Sequence, residues 1–501
     1  MNSFKQIKWG VILSYLSIAI NICSGLFYTP WMVATVGDSQ YGLYTLANSV
    51  ITLFLVDFGL SSATSRYLAK YNAENDRESA EQFLGAVYKL YLLMDAVILT
   101  ILLAVFFLMD RIFLNLTFEE LERFRVVYAI SALFSVINFP CVTFNGILTA
   151  YERFIPLKIA DLLYRVCNVG LAVIALLLGY GLYALVTIHA VVGLLILVVK
   201  YAVIRKTIPL KANFKKTDKG IYKELLGFSI WVTVSALAAR LVFNITPSIL
   251  GIVASSAAIA VFGIVMTIEG YAFTITTAIN GLFMPQISRI VVGTEENADL
   301  NVLFLRVGKF QYFLNGVIVA GFTVVGESFI RLWMGEVYIT AYGGILLVLI
   351  PGLFYNALEI ANTTMTVKGK VKLIAVVSLV TGFINIVLSL PFSKKFGVIG
   401  ACVSICIAYL VRSVLCNFIY HKVLPLDIPR FIKECYIRMS IPILVTVACG
   451  CVINCWIPDV GWGIFLLKAF VTVLIYLLAV LLLGLTTQEK RRMLDQMIKE
   501  R

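Results

Sequence analysis

The chain has 501 residues, 60% of them hydrophobic and 14% charged, with a mean hydropathy of +0.94. A soluble chain is about half apolar and about a quarter charged, so this one lacks the polar residues to coat several water-facing domains, and lipid is its solvent over most of its length. A formal net charge of +13 would suit nucleic acid, but the basic residues stand in short loops between apolar runs, the pattern of cytoplasmic membrane loops, which excludes nucleic acid as the expected partner.

In chain order, Lys5 and Lys8 precede an apolar run longer than a signal-peptide core and lacking a small-residue cleavage site, which reads as an uncleaved first span. Runs of spanning length follow at about 10–34, 42–64, 83–108, 126–149, 159–178, 182–203, 227–252, 257–283, 303–325, 341–366, 373–393, 398–420, 440–457 and 464–484. The fold class is an all-α polytopic membrane protein with about 14 transmembrane helices. Pro30, Pro140, Pro247 and Pro351 fall inside spans. Each breaks the backbone ladder where neighbours or a cavity must satisfy the freed carbonyl.

Loop charge sets the orientation. With the N-terminus inside, the inner segments hold 27 Lys and Arg and the outer ones 6. Both termini are therefore expected in the cytoplasm. The most basic loop, RKTIPLKANFKKTDKGIYK, carries seven basic residues near mid-chain, as a linker between two halves would.

The halves resemble copies. Thr29-Pro30 before Tyr41-Gly42-Leu43 recurs as Thr246-Pro247 before Phe262-Gly263-Ile264. Ser65-Arg66 recurs as Ser288-Arg289, Pro140 and Asn145 as Pro351 and Asn356, and Tyr180-Gly181-Leu182 as Phe396-Gly397-Val398. The expected organisation is an N-terminal six-helix lobe (1–205), a basic cytoplasmic linker (206–226) and a C-terminal six-helix lobe (227–425). An extra transmembrane pair with a basic tail (426–501) completes it. Parallel repeats of this kind place a substrate path at their interface. The extra pair, outside the repeat, is expected to be peripheral or to add a lipid-facing groove.

Ionisable groups inside spans cost about 2.5–3.5 kcal/mol each at the centre, so they pair, face a cavity or do work. Candidate anion-binding residues are Arg66, Arg165, Arg240 and Arg412; candidate coupling or cavity acids are Asp57, Asp95, Glu269 and Glu359. Arg240 and Glu269 sit at matched depth on consecutive spans, either as a simple ion pair or as an anion site tuned by an acid. Asp161 and Arg165, four residues apart, share a helix face and suit a local pair. Asp57, in VDFGL, either fixes helix packing or couples a cation. Arg66 and its repeat mate Arg289 either contact lipid phosphates or obey the charge rule alone. Lys200 and Lys468 lie near span ends, where long side chains snorkel outward. Three arginines from different spans favour an anionic ligand.

Other chemistry is poorly supplied. The ten cysteines fall mostly in apolar runs, with only Cys435 in a loop, and read as small buried side chains. His189 and His421 stand alone, which gives no zinc site, and GxxxxGK[ST] does not occur. No cofactor is expected, beyond H⁺ or Na⁺ as coupling ions. Asn115-Leu116-Thr117 fits a glycosylation acceptor pattern of low information content.

The segment 10–71 carries Asn21, Gly25, Thr29-Pro30, Gly37, Tyr41-Gly42-Leu43-Tyr44, Asp57-Phe58-Gly59-Leu60 and Ser65-Arg66-Tyr67. In these residues the chain resembles the bacterial polysaccharide-biosynthesis flippases, the O-antigen and capsule repeat-unit flippase family. They belong to the multidrug/oligosaccharidyl-lipid/polysaccharide exporter superfamily. Span number, the two-half repeat and the basic central loop extend the likeness along the chain. The resemblance implies a non-enzymatic flippase in the bacterial cytoplasmic membrane, with two six-span lobes around an alternating cavity. Its substrate would be an undecaprenyl-pyrophosphate-linked oligosaccharide, and its partners the lipid bilayer, a polysaccharide polymerase and glycosyltransferases. Cationic cavity residues hold the pyrophosphate in such a scheme, a role that would fall to Arg66, Arg240 and Arg412. Competing readings are a cation-coupled multidrug exporter of the same superfamily, a membrane-embedded glycosyltransferase or polymerase, and a scaffold. The longest outer segment is about 17 residues and no inner loop exceeds about 25, which leaves little room for a transferase domain.

Overall fold

The computed structural model describes residues 3–55, 57, 59–214, 233–235, 237–277, 287, 290, 297–424, 426–457, 461–486 and 490. The described residues are helical, without a strand. Among the described residues, eleven helices are long and apolar enough to cross a membrane, and one bent pair, Thr340–Asn356 with Glu359–Val367, makes a further pass. One of the eleven, Val371–Val423, has 53 residues. At 1.5 Å per residue it would run about 80 Å, against about 30 Å of hydrocarbon. The chain turns inside it at Gly397, whose φ of 57° only glycine adopts without strain, so it holds two passes. With the second span the structure matches the expected architecture of about fourteen helices.

That second span is not the continuous helix expected over 42–64. The helix Asp38–Phe54 ends, and Leu60–Ala73 begins after a break. Asp57, Gly59 and Leu60 build the break. Asp57 Oδ1 accepts the Gly59 N–H at 3.1 Å and Asp57 O accepts the Leu60 N–H at 3.0 Å. Gly59 stands at φ 67° as the N-cap of the next helix. An aspartate-centred turn thus outcompetes the helix ladder.

The chain divides into two compact units, Met1–Ala260 and Val261–Arg501. The division falls after the seventh span, whereas the expected lobe boundary lies before it. The reason lies in packing. A side chain at Gly42 would collide with the Ser256 carbonyl, and Gly251 sits against Leu46 and Phe113. Ser49 donates to the Asn244 carbonyl and Asn115 to the Ile252 carbonyl. Residues 244–256 are therefore bound to the second span and to the loop after Ile112.

Within the first unit, Phe118–Cys141 packs on Asp38–Phe54, Arg77–Ile112 and Leu182–Thr207, and Ser3–Val36 packs on Phe154–Leu177. Thr117 and Glu120 form a reciprocal capping box at the start of Phe118–Cys141. The described part of the linker lies on Arg77–Ile112: Asn213 N–H donates to Glu81 O at 2.9 Å, and Phe214 meets Tyr88 at 6.4 Å.

Within the second unit, Asn297–Met334 packs on Thr340–Asn356 and on both C-terminal helices, Arg438–Trp456 and Gly461–Ala479. The extra pair is thus an integral part of its unit. Tyr476 Oη donates to Phe313 O at 3.1 Å, and Asn454 Nδ2 to Val324 O at 2.7 Å. The cysteines divide otherwise than expected. Cys402, Cys416 and Cys435 are buried, whereas Cys23, Cys167, Cys449, Cys451 and Cys455 are exposed on helices. A thiol is at home on an outward face when the surrounding solvent is apolar. Cys435 is not in a loop but in a helical stretch, 0% exposed.

Candidate functional site

Both six-span repeats gather charge at a break in their fourth span. In the first, the helix stops at Cys141 and resumes at Thr143, just after Pro140. Proline supplies no N–H to the preceding turn, and the Thr143 hydroxyl donates to the Pro140 carbonyl at 2.8 Å. The resumed helix Thr143–Ala150 packs on Leu60–Ala73, which follows the Asp57 turn. Around this junction lie Tyr91, fully buried and edge-on to Phe139 at 5.3 Å, and Asp57, whose charge Tyr91 feels.

Arg240 is half-buried, with Asp57 as its electrostatic partner. Its Nη1 has no hydrogen-bond partner among the described residues. Within the first unit the acid that acts on Arg240 is Asp57; Glu269, its expected partner, belongs to the second unit. Asp95 is half-buried, with Oδ1 unpartnered among the described residues and Cys141 in its field.

Just beyond the break, Lys200 reaches inward. It is 8% exposed, and its ammonium donates to Asn145 Oδ1 at 3.0 Å and Asp161 Oδ1 at 2.9 Å. This corrects two expectations. Lys200 does not snorkel, because an amide and a carboxylate inside the bundle satisfy it better than the interface would. Asp161 pairs with Lys200, and at 3.9 Å with Lys158, and not with Arg165 four residues on. Arg165 is half-buried beside Tyr164, whose hydroxyl meets His189 Nδ1 at 2.9 Å. Arg66 is exposed, its guanidinium 5.9 Å from the Tyr67 ring. Its repeat mate Arg289 lies outside the described residues.

In the second unit the break is sharper. Thr340–Asn356, with Pro351 inside, bends by 48° into Glu359–Val367. Arg412, from the last pass of the six-span repeat, is 6% exposed. It donates through Nη2 to Tyr355 Oη at 3.0 Å and lies 4.4 Å over the Tyr355 ring and 5.8 Å over that of Tyr409. Glu359 is the acid in its field. Glu359 Oε1 accepts from Asn362 Nδ2 at 2.9 Å. Its Oε2 and Arg412 Nε are buried without a partner among the described residues. Glu269 lies on Ser256–Thr277, half-buried, and acts electrostatically on Tyr409. Lys468, the other lysine expected to snorkel, is 2% exposed and donates to Asn454 Oδ1 at 3.0 Å.

The structure thus sets Asp57 in the electrostatic field of Arg240, and Glu359 in that of Arg412, without an ion pair in either case, and places Arg66, Arg165 and Asp95 elsewhere. Sequence reading did not single out Tyr91, Tyr355 or Tyr409. Tyr355 and Tyr409 stand four and three residues from Glu359 and Arg412, the spacing of one helix face, and that spacing was the available signal. Among the described residues no cluster of His, Cys, Asp and Glu could hold a metal ion.

The fold is that of solved transporters. The lipid II flippase MurJ, in an inward closed conformation, superposes with a TM-score of 0.74 at 15% identity, over 94% of this chain and 97% of that one. An inward-facing multidrug resistance MATE family transporter of the MOP superfamily gives 0.65 at 15% identity, over 84% and 99%. In sequence, the chain is 22% identical over 426 residues to the membrane protein EpsK of Bacillus subtilis (strain 168), covering 80% of each. The profile of the polysaccharide biosynthesis proteins matches residues 7–291, more than half of the chain, and the chain belongs to that family.

Proposed function

We propose that the chain is a flippase. It carries an undecaprenyl-pyrophosphate-linked oligosaccharide repeat unit across the bacterial cytoplasmic membrane by alternating access, for a surface polysaccharide, with both termini cytoplasmic. The physical task is to move a hydrated sugar head through hydrocarbon, where each unsatisfied polar group costs several kcal/mol. A polar path replaces the lost water while the polyprenyl tail stays in lipid. No bond need be made or broken, so the reading is of a transporter that hands its cargo to a polymerase and receives it from glycosyltransferases.

The observation that carries the reading is the incomplete bonding of intramembrane charge in a chain of this family. Arg240 Nη1, Glu359 Oε2 and Arg412 Nε are buried polar atoms with hydrogen-bonding capacity to spare among the described residues. A group kept to brace helices finds partners for its polar atom, as the Lys200 ammonium does in Asn145 and Asp161. Arginines suit pyrophosphate and acidic sugars through their planar fork; Arg66, Arg165, Arg240 and Arg412 are the proposed anion contacts. Asp57, Asp95, Glu269 and Glu359 are the proposed acids through which H⁺ or Na⁺ exchange would drive the cycle, a downhill gradient of lipid-linked sugar being the alternative drive. The wider structural match with the lipid II flippase than with the MATE transporter, 94% against 84% of this chain, favours a lipid-linked cargo over a drug.

The test is reconstitution. In proteoliposomes loaded with a polyprenyl-pyrophosphate oligosaccharide, the protein should expose inner-leaflet glycan to an external lectin faster than protein-free vesicles do. Equal rates would remove the reading, and cation-driven dye efflux would assign the drug exporter instead. Arg240→Glu should stop translocation without loss of membrane insertion.

A further inference from the structure

The second unit holds a cleft of about 1210 Å³ that the translocation reading does not use. Three segments wall it: the start of Asn297–Met334, the stretch 426–439 and the chain end 477–486. Asn297–Met334 has 38 residues, so it is about 57 Å long and overruns about 30 Å of hydrocarbon. The apolar run begins at about residue 303, so Arg306 and Lys309, in its first two turns, lie close to the membrane surface, on the side that the loop charges assign to the cytoplasm.

The lining joins two chemistries. Arg306, Lys309, Arg430 and Arg438 face two acids, Asp427 and Glu434. Glu434 is already shared, 3.0 Å from Lys309 Nζ and 2.8 Å from Arg430 Nε, and Asp427 caps its own helix through the Arg430 N–H. Cationic charge is in excess. Beside it run apolar side chains open to the outside, among them Val302, Phe310, Leu477 and Leu481.

The backbone is also irregular there. Ile432–Ile437 and Val480–Gly484 are both π-helical, and both border this cleft. Such turns are rare and gather at functional sites. Just past the second of them, the Leu485 carbonyl accepts from Arg438 Nη2 at 2.8 Å, which fixes one guanidinium at the cleft wall. Pro442, which has no N–H to give the turn before it, follows the first of them.

We propose that this cleft binds an anionic membrane phospholipid, its phosphate on Arg306 and Arg438 and its acyl chains along Phe310, Leu477 and Leu481. Basic pockets between transmembrane helices recognise anionic headgroups in this way. The lipid would act as a wedge between the C-terminal pair and the rest of the unit. The proposal is independent of the cargo: it holds for any transported substrate.

The purified full-length protein would be titrated in detergent with phosphatidylglycerol, phosphatidylcholine, undecaprenyl phosphate and inorganic phosphate, following binding by native mass spectrometry and stability by thermal unfolding. Phosphatidylglycerol should bind about tenfold more tightly than phosphatidylcholine and raise the melting temperature. Arg306→Gln, at an exposed position, should melt like the parent without lipid yet lose most of that preference. Arg438→Gln should lose it too, and Arg111→Gln, at an exposed basic position of the first unit, should keep it. Equal binding of the two phospholipids would overturn the proposal, as would an unchanged preference in Arg306→Gln. Tighter binding of undecaprenyl phosphate would give the cleft to the cargo, and displacement by millimolar inorganic phosphate would reduce it to a simple anion site.

Discussion

The two fourth-span breaks answer one structural problem in different ways. In each unit a proline precedes the break, and a cation from the sixth span of the repeat comes to it. In the first unit Lys200 donates to Asn145 and Asp161. In the second, Arg412 has one tyrosine hydroxyl and two aromatic faces, while its Nε and Glu359 Oε2 stay unpartnered among the described residues. The cation of the first break is held as a brace, although Arg240 and Asp95 nearby keep unpartnered atoms among the described residues; the cation of the second keeps donor capacity in reserve, inside a 48° bend. A buried network that is only partly satisfied costs stability, so its retention points to work done in another state of the cycle.

Mutations can break this contrast, and the largest expected effect lies in the brace. Asp161→Ala leaves the Lys200 ammonium buried with one amide for company. Removing one partner of a fully buried pair costs about 3–5 kcal/mol. Asp161 keeps 37% of its side-chain surface open, so about 2–3 kcal/mol of thermal stability should be lost, read by unfolding in detergent, with transport per folded molecule unchanged. A selective transport defect without destabilisation would erase the distinction between the units.

Glu359→Gln should do the reverse. It keeps the shape and the Asn362 contact, so stability should move by less than about 1 kcal/mol. Transport should fall at least about tenfold, equivalent to about 1.4 kcal/mol of barrier, as measured by lectin access in proteoliposomes. Normal transport would make Glu359 a structural acid. Arg412→Lys should have a smaller effect, a loss of about threefold to tenfold. The charge survives, but the flat guanidinium that covers Tyr355 does not. Parent-like rates would mean that charge alone suffices at this position.

The architecture was legible because membrane solvation dictates it. Twenty-residue apolar runs and basic loops need no tertiary knowledge, and the family was carried by a few residues before Tyr71. The misreadings share one cause. Lys200 and Lys468 stand near span ends, where solvation by the interface is the ordinary outcome. Only the positions of Asn145, Asp161 and Asn454 in three dimensions show that better partners lie inward. The Asp57 turn was hidden likewise, since an apolar run from Ile51 to Leu60 does not reveal that one carboxylate takes the Gly59 amide and ends the helix. Charge partners across a bundle, such as Asp57 with Arg240, are separated by 183 positions, and no local pattern encodes them.

The smallest expected effect is the sharpest test of what the brace is for. A buried ion pair gains attraction but gives up hydration, and apolar residues of similar volume often serve as well or better. The double replacement Lys200→Met with Asp161→Leu removes both charges at once, so neither is stranded; Asn145 loses one donor, worth about 0.5–1.5 kcal/mol. The double variant should therefore melt within about 1 kcal/mol of the parent and transport at the parental rate, although Asp161→Ala alone is the most damaging change. If the double variant stays as unstable as the single one, the lysine and aspartate fix the geometry of the break itself. The first unit would then share the second unit's functional constraint instead of serving as its rigid counterpart.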